Sequence, residues 1–121
     1  LMPYSNIVIY HNPRCSKSRA AYNYLQERDI KFDTIEYQAN IPSESDIKHI
    51  LQLLDLPLAK VIRTNDAAFK KLNIDLSQLD YNQVIKLISC NIKILQRPIV
   101  ILDDTAIIAR PIDNLTNLLK K

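Results

Sequence analysis

The sequence predicts a single α/β domain over residues 2–121, built on one mixed four-stranded sheet with the elements in the order β-α-β, a helical insertion, and β-β-α. Three observations predict this fold class. Short β-branched stretches open and close the chain, at 6–10, 98–102 and 105–109. Apolar residues recur at helical spacing between them. The composition, 47% hydrophobic and 24% charged over 121 residues, is that of an ordinary globular protein.

The first three elements form a predicted βαβ unit. The stretch NIVIY at 6–10 is typical of a buried strand, and a helix follows from about Ser16 to Arg28. The stretch IKFDTIEY at 30–37 then alternates as a second strand does. Because a helical crossover joins the two strands, and such crossovers are right-handed, we expect the strands to be parallel.

The middle of the chain, at about 43–92, predicts a helical insertion. Ser43 has the position of an N-cap before a helix whose apolar residues keep the i, i+3, i+4, i+7 spacing, and a proline ends that helix. A short helix is predicted at 66–72. Asp80 and Gln83 form a pair like a capping box, which predicts that another helix begins there.

The end of the chain predicts a β-hairpin and a final helix. The strands 98–102 and 105–109 meet across two aspartates, a turn signal weaker than Asn-Gly but of the same kind. The stretch PIDNLTNLLKK at 111–121 closes the chain as a helix. The complete order matches a thioredoxin-like fold with a helical insertion, in which the closing hairpin pairs antiparallel.

Charge and composition exclude several function classes. The net charge is +3 and the lysines are scattered, so no basic stripe predicts nucleic-acid binding. No run approaches the about 20 apolar residues that a membrane span needs. The chain has no glycine, which excludes the P-loop and the glycine-rich dinucleotide turn. Two widely separated cysteines and no N-terminal secretory pattern predict a cytoplasmic protein.

The stretch IYHNPRCSKSR at 9–19 places Cys15 where a strand gives way to a helix. At a helix N-terminus, unpaired N–H groups and the positive end of the dipole favour the thiolate, which lowers a thiol pKa from about 8.5 to about 3.5–7.5. Basic residues surround it in the sequence: His11, Arg14, Lys17 and Arg19. A buried core cysteine is the alternative, and these polar, basic neighbours argue against it.

Other cysteine chemistries fit less well. Ser18 stands where a dithiol oxidoreductase has its second cysteine. Cys90 is either a half-buried helix residue or, if its helix lies close to Cys15, a resolving thiol. The phosphatase loop C-x5-R is excluded because Ala21 occupies the place of the arginine. No cluster of four metal ligands emerges, so no metal site is predicted.

Two arginines are predicted to face each other at the open end of the hairpin. The turn that pairs Leu102 with Thr105 also pairs Arg97 with Arg110, and each arginine precedes a proline that keeps it extended. Like charges opposite one another destabilise a sheet pair, and a tetrahedral oxyanion between two guanidinium groups would relieve this. Two solvated arginines with carboxylate partners are the alternative. Arg63 is a third arginine, flanked by apolar residues in VIRTND.

These residues together resemble the glutaredoxin-coupled arsenate reductases of the ArsC family. The similarity lies in the stretches IYHNPRCSKSR, VIRTND, LQRPIVIL and IARPIDNL, which occur in order and at about the expected spacing. The stretch H-N-P-x-C-x-x-S-R is the most specific part. Members of the family often have glycine directly after the cysteine, where this chain has Ser16.

The resemblance implies a cytoplasmic arsenate reductase with a thioredoxin-like fold. Cys15 would attack arsenic to form a thiol–arsenate adduct, His11 would help to keep the sulfur ionised, and Ser18 could hydrogen-bond to it. The oxyanion would be held by three arginines: Arg63, Arg97 and Arg110. The supporting residues would be Asn12, Arg19 and Pro98, the last matching a cis proline of the family.

The resemblance also implies external thiols and no tightly bound cofactor. Glutathione would be a co-substrate that attacks the adduct, and glutaredoxin would remove the glutathione and release arsenite. The family includes transcription regulators that bind RNA polymerase, so a redox or regulatory module that binds a protein partner without arsenate turnover is the alternative. Those regulators commonly carry C-x-x-C, whereas the single thiol and the three arginines favour the reductase.

Overall fold

The computed structural model describes residues 4–120, so residues 2, 3 and 121 of the predicted domain lie outside the described residues. The described strands are β1 (Ile7–His11), β2 (Asp33–Glu36), β3 (Ile99–Leu102) and β4 (Thr105–Ile108). They form one sheet in the order β2-β1-β3-β4. β1 pairs parallel with β2 and antiparallel with β3, and β3 pairs antiparallel with β4. The predicted mixed four-stranded sheet is confirmed.

The helices follow the predicted order, with one additional α-helix, the third, and two short 3-10 turns. They are α1 (Ser16–Glu27), α2 (Glu44–Leu54), α3 (Leu58–Val61), α4 (Ala67–Lys70), α5 (Tyr81–Cys90) and α6 (Asp113–Leu119). The short helix α3 and two single 3-10 turns, Leu76–Gln78 and Ile92–Ile94, were not predicted, because three or four residues are too few to show a helical period. Within residues 4–120, no helix is long and apolar enough to cross a membrane.

The first of two compact units contains the described residues up to Asn40 and those from Arg97 onward. Its hydrophobic core joins the sheet to α1 and α6, and Ala21, Leu25 and Leu115 are fully buried in it. Full burial of a large aliphatic side chain contributes about 1.5–3 kcal/mol. This packing fixes α1 against the sheet, so that the N-terminus of α1 lies just beyond the end of β1.

The second compact unit, Ile41–Gln96, covers the predicted helical insertion. Ser43 is the N-cap of α2, and its hydroxyl accepts a hydrogen bond from the Asp46 N–H at 3.0 Å. Asp80 and Gln83 form the predicted capping box at the start of α5. The prediction of a single domain over residues 2–121 stays a prediction.

Left-handed backbone positions, which glycine usually occupies, are filled by other residues in this glycine-free chain. They are Asp29, Asp55, Asn73 and Asp103. Aspartate and asparagine enter this region more readily than other non-glycine residues. Asp103 lies in the hairpin turn, where its carboxylate also accepts hydrogen bonds from the N–H groups of Ser5 and Asn6 at 3.1 and 2.8 Å. Aspartate therefore supplies both the turn conformation and a link to the start of β1.

The position of α1 generates a prediction about stability. Replacing Leu25 with alanine should lower the free energy of unfolding by about 2–5 kcal/mol, because a fully buried side chain is lost from a close-packed core. Urea unfolding followed by circular dichroism measures this. The matched control is Asn23→Ala at an exposed position of the same helix, with an expected change within about 0.5 kcal/mol. Equal midpoints for the Leu25 variant and the wild type would contradict the described packing.

Candidate active site

Cys15 is the N-cap residue of α1, at the end of a short loop that leaves β1. Its backbone is extended, with φ −96° and ψ 123°. The Cys15 N–H donates to the Asn12 carbonyl at 3.0 Å, and the Cys15 carbonyl accepts from the Arg19 N–H at 2.9 Å. The side chain is half-buried. The structure thus places the thiol at the helix N-terminus, where the sequence predicted it.

The loop before Cys15 is held by its own side chains. The Asn12 side-chain oxygen accepts from the Arg14 N–H at 3.0 Å, and the Arg19 guanidinium donates to the Pro13 carbonyl at 3.0 Å. Ser16, where family members often have glycine, is the first residue of α1 and is not among the residues with positive φ. The loop therefore does not require glycine at that position.

The pKa of the Cys15 thiol is lowered from its ordinary value. Burial is the largest influence and opposes ionisation. It is outweighed by the N–H group of Ser18, by the hydrogen-bonding and charged guanidinium of Arg97, and by the N–H group of Lys17. The helix N-terminus and one arginine therefore act on the same sulfur and favour its thiolate.

His11 and Ser18 form a buried pair beneath the loop. The His11 Nδ1 and the Ser18 Oγ are 2.6 Å apart, and the Asn12 N–H donates to the same Oγ at 2.9 Å. The Ser18 oxygen therefore contacts both the imidazole and the backbone of the loop. The His11 ring also stacks on Tyr22, with centroids 4.8 Å apart.

The roles that the resemblance implies for His11 and Ser18 stay predictions. Burial lowers the pKa of His11; the Glu36 charge raises it and the Arg19 charge lowers it further. The imidazole is therefore protonated less readily than that of an ordinary histidine. Ser18 acts on the sulfur through its backbone N–H, while its hydroxyl is bonded to His11 and Asn12.

Arg97 and Arg110 meet as the hairpin register predicts. β3 and β4 pair Leu102 with Thr105, and a hydrogen bond of 2.9 Å from Ala109 to Pro98 continues the hairpin toward the two arginines. The Arg110 guanidinium donates to the Arg97 carbonyl at 3.4 Å. Within residues 4–120 neither arginine forms an ion pair with a carboxylate, so the alternative of two carboxylate-paired arginines is not observed.

The peptide bonds that follow these arginines are both cis. The Arg97–Pro98 bond confirms the prediction made for Pro98. The cis bond at Arg110–Pro111 was not predicted. Arg110 is exposed, whereas the Nε atom of Arg97 is buried and has no hydrogen-bond partner in the described part of the chain.

Tyr37 is a buried residue at this site that the sequence reasoning missed. It directly follows β2 and is 1% exposed. Burial raises the pKa of its hydroxyl, and the nearby Cys15 charge raises it further, against the opposing effects of Arg97 and Gln38. A usable signal was present, because the carboxyl ends of parallel strands lie at one edge of a sheet and Tyr37 follows β2 as Asn12 follows β1.

Arg63 belongs to the second compact unit, where it already has a carboxylate partner. Its Nη1 lies 3.2 Å from an oxygen of Asp66, and its N–H donates to the Ile94 carbonyl at 2.7 Å. The Asp66 carboxylate also caps α4 through the Ala68 N–H at 2.9 Å. The oxyanion-binding role that the resemblance implies for Arg63 stays a prediction.

Cys90 is the last residue of α5, also in the second unit. It is exposed, so its prediction as a half-buried helix residue is wrong, because the terminal residue of α5 stays accessible to solvent. His49 is exposed on α2. Residues 4–120 contain no group of three or more histidine, cysteine, aspartate or glutamate side chains arranged to hold a metal ion.

Comparisons with known proteins agree with this fold. The profile of the ArsC family matches residues 10–118. The chain belongs to the ArsC family. It is 38% identical over 114 residues to an arsenate reductase of Neisseria meningitidis serogroup A. The aligned region covers 93% of this chain and 97% of that protein. The structure of an arsenate reductase from Vibrio cholerae superposes with a TM-score of 0.88 at 32% identity, covering 96% of this chain and 99% of that one.

The family also contains proteins of another class. The global transcriptional regulator Spx of Listeria innocua is 34% identical over 95 residues, which is 78% of this chain and 72% of the regulator.

The thioredoxin-like fold predicted from the element order is confirmed by the solved arsenate reductase structure from Vibrio cholerae.

The electrostatics of Cys15 generate a prediction about pH. In a Cys90→Ser background, the rate of alkylation by iodoacetamide should titrate with a pKa below the about 8.5 of an ordinary thiol, so reactivity persists at neutral pH and is lost as the pH falls through that pKa. Arg97→Gln should raise the pKa, because it removes a charge that favours the thiolate. The control Arg14→Gln, at an exposed position, should leave it unchanged. An ordinary pKa in the parent protein would contradict the activated thiol.

Proposed function

We propose that this chain is an arsenate reductase, an oxidoreductase that takes its electrons from glutathione with glutaredoxin as a partner. One observation carries the proposal: the Cys15 thiol lies at the N-terminus of α1, where backbone N–H groups and the Arg97 guanidinium lower its pKa. Membership of the ArsC family and the similarity to arsenate reductases support arsenate as the substrate. A reducing compartment such as the cytoplasm would keep the thiol free.

The first chemical step would be attack of the Cys15 sulfur on arsenic. The sulfur–arsenic bond forms, one arsenic–oxygen bond breaks, and the oxygen leaves as hydroxide or, with a proton, as water. The guanidinium groups of Arg97 and Arg110 would donate to the remaining oxygens and reduce the repulsion between thiolate and oxyanion. Because the thiol pKa is already lowered, the step needs no separate base to remove its proton.

The second part of the reaction would reduce arsenic(V) to arsenic(III). The glutathione sulfur would displace a second oxygen, which leaves as water, so that arsenic carries both sulfurs. A glutaredoxin thiolate would then attack the glutathione sulfur and form a mixed disulfide, leaving the electron pair of the broken bond on arsenic. Hydrolysis of the Cys15–arsenic bond would release arsenite and restore the thiol. Two thiols lose two electrons and arsenic gains them.

External thiols are favoured by the first turn of α1, which follows Cys15. Ser18 stands there at the place of a second cysteine and its hydroxyl is buried against His11, so this turn offers no resolving sulfur. Cys90 lies in the other compact unit, at an exposed position. Glutathione and glutaredoxin, as implied by the family resemblance, would supply the two thiols.

The relative Spx favours a second candidate function, a regulatory module that binds RNA polymerase through this fold. Recovery of RNA polymerase on the immobilised protein, together with no arsenate turnover, would support that candidate. Arsenate turnover would support the reductase, because a binding module has no need of an activated thiol beside an arginine.

The proposal predicts arsenate-dependent oxidation of NADPH when the protein is supplied with glutathione, glutaredoxin and glutathione reductase. Cys15→Ser should abolish the activity, because oxygen replaces the nucleophilic sulfur. Cys90→Ser is the matched control and should retain it within about twofold, since neither external thiol requires Cys90. No arsenate-dependent turnover, with the coupling proteins shown to be active, would overturn the proposal.

The two arginines of the hairpin generate a quantitative prediction. Arg97→Ala and Arg110→Ala should each lower kcat/KM for arsenate by about ten- to a hundredfold, the value of one or two charge-assisted hydrogen bonds to an oxyanion. Arg110→Lys should recover part of the loss, because it restores the charge without the planar guanidinium. Steady-state kinetics on variants with wild-type circular dichroism spectra would test this. Unchanged kcat/KM in either alanine variant would remove that arginine from the site.

A further inference from the structure

We propose that the Tyr37 hydroxyl donates a hydrogen bond to an oxygen of the oxyanion held at Cys15, so that Tyr37 is a further substrate-binding residue. This inference rests on the proposed function, because it requires an oxyanion at that cysteine. It adds a neutral donor from the end of β2 to the charged donors that the hairpin supplies.

The first observation is an unpartnered hydroxyl in a buried place. Tyr37 is 1% exposed, and its hydroxyl has no hydrogen-bond partner among residues 4–120. The Nε of Arg97 is buried and unpartnered in the same way. Buried polar atoms are satisfied in the large majority of cases, and leaving one unpaired costs about 1–3 kcal/mol. The Tyr37 hydroxyl and the Arg97 Nε can both donate a hydrogen bond, and Arg97 and Cys15 both shift the pKa of that hydroxyl.

The second observation is the identity of the neighbours. The groups that shift the pKa of the Tyr37 hydroxyl are Arg97, Gln38 and Cys15, and Arg97 and Gln38 approach it closely enough to lower that pKa, yet no described residue makes a hydrogen bond of full geometry with the hydroxyl. A guanidinium carries only donors, so Arg97 cannot accept the phenol proton. Burial keeps Tyr37 protonated at neutral pH, since it raises the pKa of the hydroxyl. The Tyr37 hydroxyl can therefore donate a hydrogen bond, and the neighbouring Arg97 guanidinium cannot accept it.

The ligand that satisfies both groups is an acceptor with several oxygens next to the Cys15 sulfur. A tetrahedral oxyanion fits, because one oxygen can accept from the Arg97 Nε while another accepts from Tyr37. Since the site is partly shielded from water, such bonds are stronger than they would be at an exposed position. A neutral donor contributes affinity without adding positive charge that would further lower the thiol pKa.

The test uses Tyr37→Phe, which removes the hydroxyl and keeps the buried ring. In a Cys90→Ser background, inorganic phosphate and arsenate should protect Cys15 from iodoacetamide. The phenylalanine variant should need about tenfold or more of either anion for equal protection, and its kcat/KM for arsenate should fall by a similar factor. Tyr24→Phe, on α1 of the same unit, is the matched control. It should change neither the protection of Cys15 by the two anions nor the turnover of arsenate.

The pH profile of alkylation distinguishes direct contact from a structural role. Direct contact leaves the Cys15 pKa of the Tyr37→Phe variant unchanged, because the missing hydroxyl is neutral. A raised Cys15 pKa, as expected for Arg97→Gln, would show that Tyr37 acts by holding Arg97 and would overturn the inference. Equal protection in Tyr37→Phe and the parent, or no protection of the parent by either anion, would also overturn it.

The inference and the proposed function fail in different ways. Wild-type arsenate turnover with equal protection in the Tyr37→Phe variant would reject the role of Tyr37 and leave the reductase standing. Weaker phosphate protection in that variant, with no arsenate turnover in the wild type, would reject the reductase and support Tyr37 as an oxyanion ligand.

Discussion

A half-buried sulfur that carries negative charge has to be compensated by donors, because burial by itself drives a thiol toward its neutral form. In this chain the compensation comes from the N–H groups of Ser18 and Lys17 and from the Arg97 guanidinium. The first two depend on α1 beginning directly after Cys15. The third depends on the hairpin that leads from Arg97 into β3. Both sets of donors are thus supplied by the same sheet-based unit that forms the hydrophobic core.

The buried pair of His11 and Ser18 holds the geometry of the loop before Cys15. The Ser18 oxygen links the end of β1, through the Asn12 N–H, to the first turn of α1. The buried imidazole completes this connection at 2.6 Å. This link holds the N-terminal turn of α1 where its N–H groups face the sulfur.

Much of this arrangement could be predicted from the sequence because it depends on local signals. The change from β-branched residues to helical spacing around Cys15 fixed the end of β1 and the start of α1. The two-aspartate turn set the register of β3 and β4, and the register alone brought Arg97 and Arg110 together. The capping pair Asp80 and Gln83 marked the start of α5 to the residue.

The features that were missed depend on tertiary burial, which a local pattern does not encode. The lowered pKa of His11 follows from its burial at the end of β1, whereas its sequence neighbours are basic. The Tyr37 hydroxyl matters because it is buried beside Arg97, a residue far away in the sequence. The exposure of Cys90 and the ion pair of Arg63 with Asp66 were likewise set by how short helices end and pack.

The claim at the centre of this account is that the Cys15 sulfur bonds to arsenic. X-ray absorption at the arsenic edge measures this directly on the Cys90→Ser protein incubated with arsenate in the absence of glutathione. Attack by Cys15 predicts a sulfur neighbour of arsenic that disappears when Cys15 is also replaced by serine. Arsenic surrounded by oxygen alone, in protein that turns over arsenate when thiols are added, would contradict it.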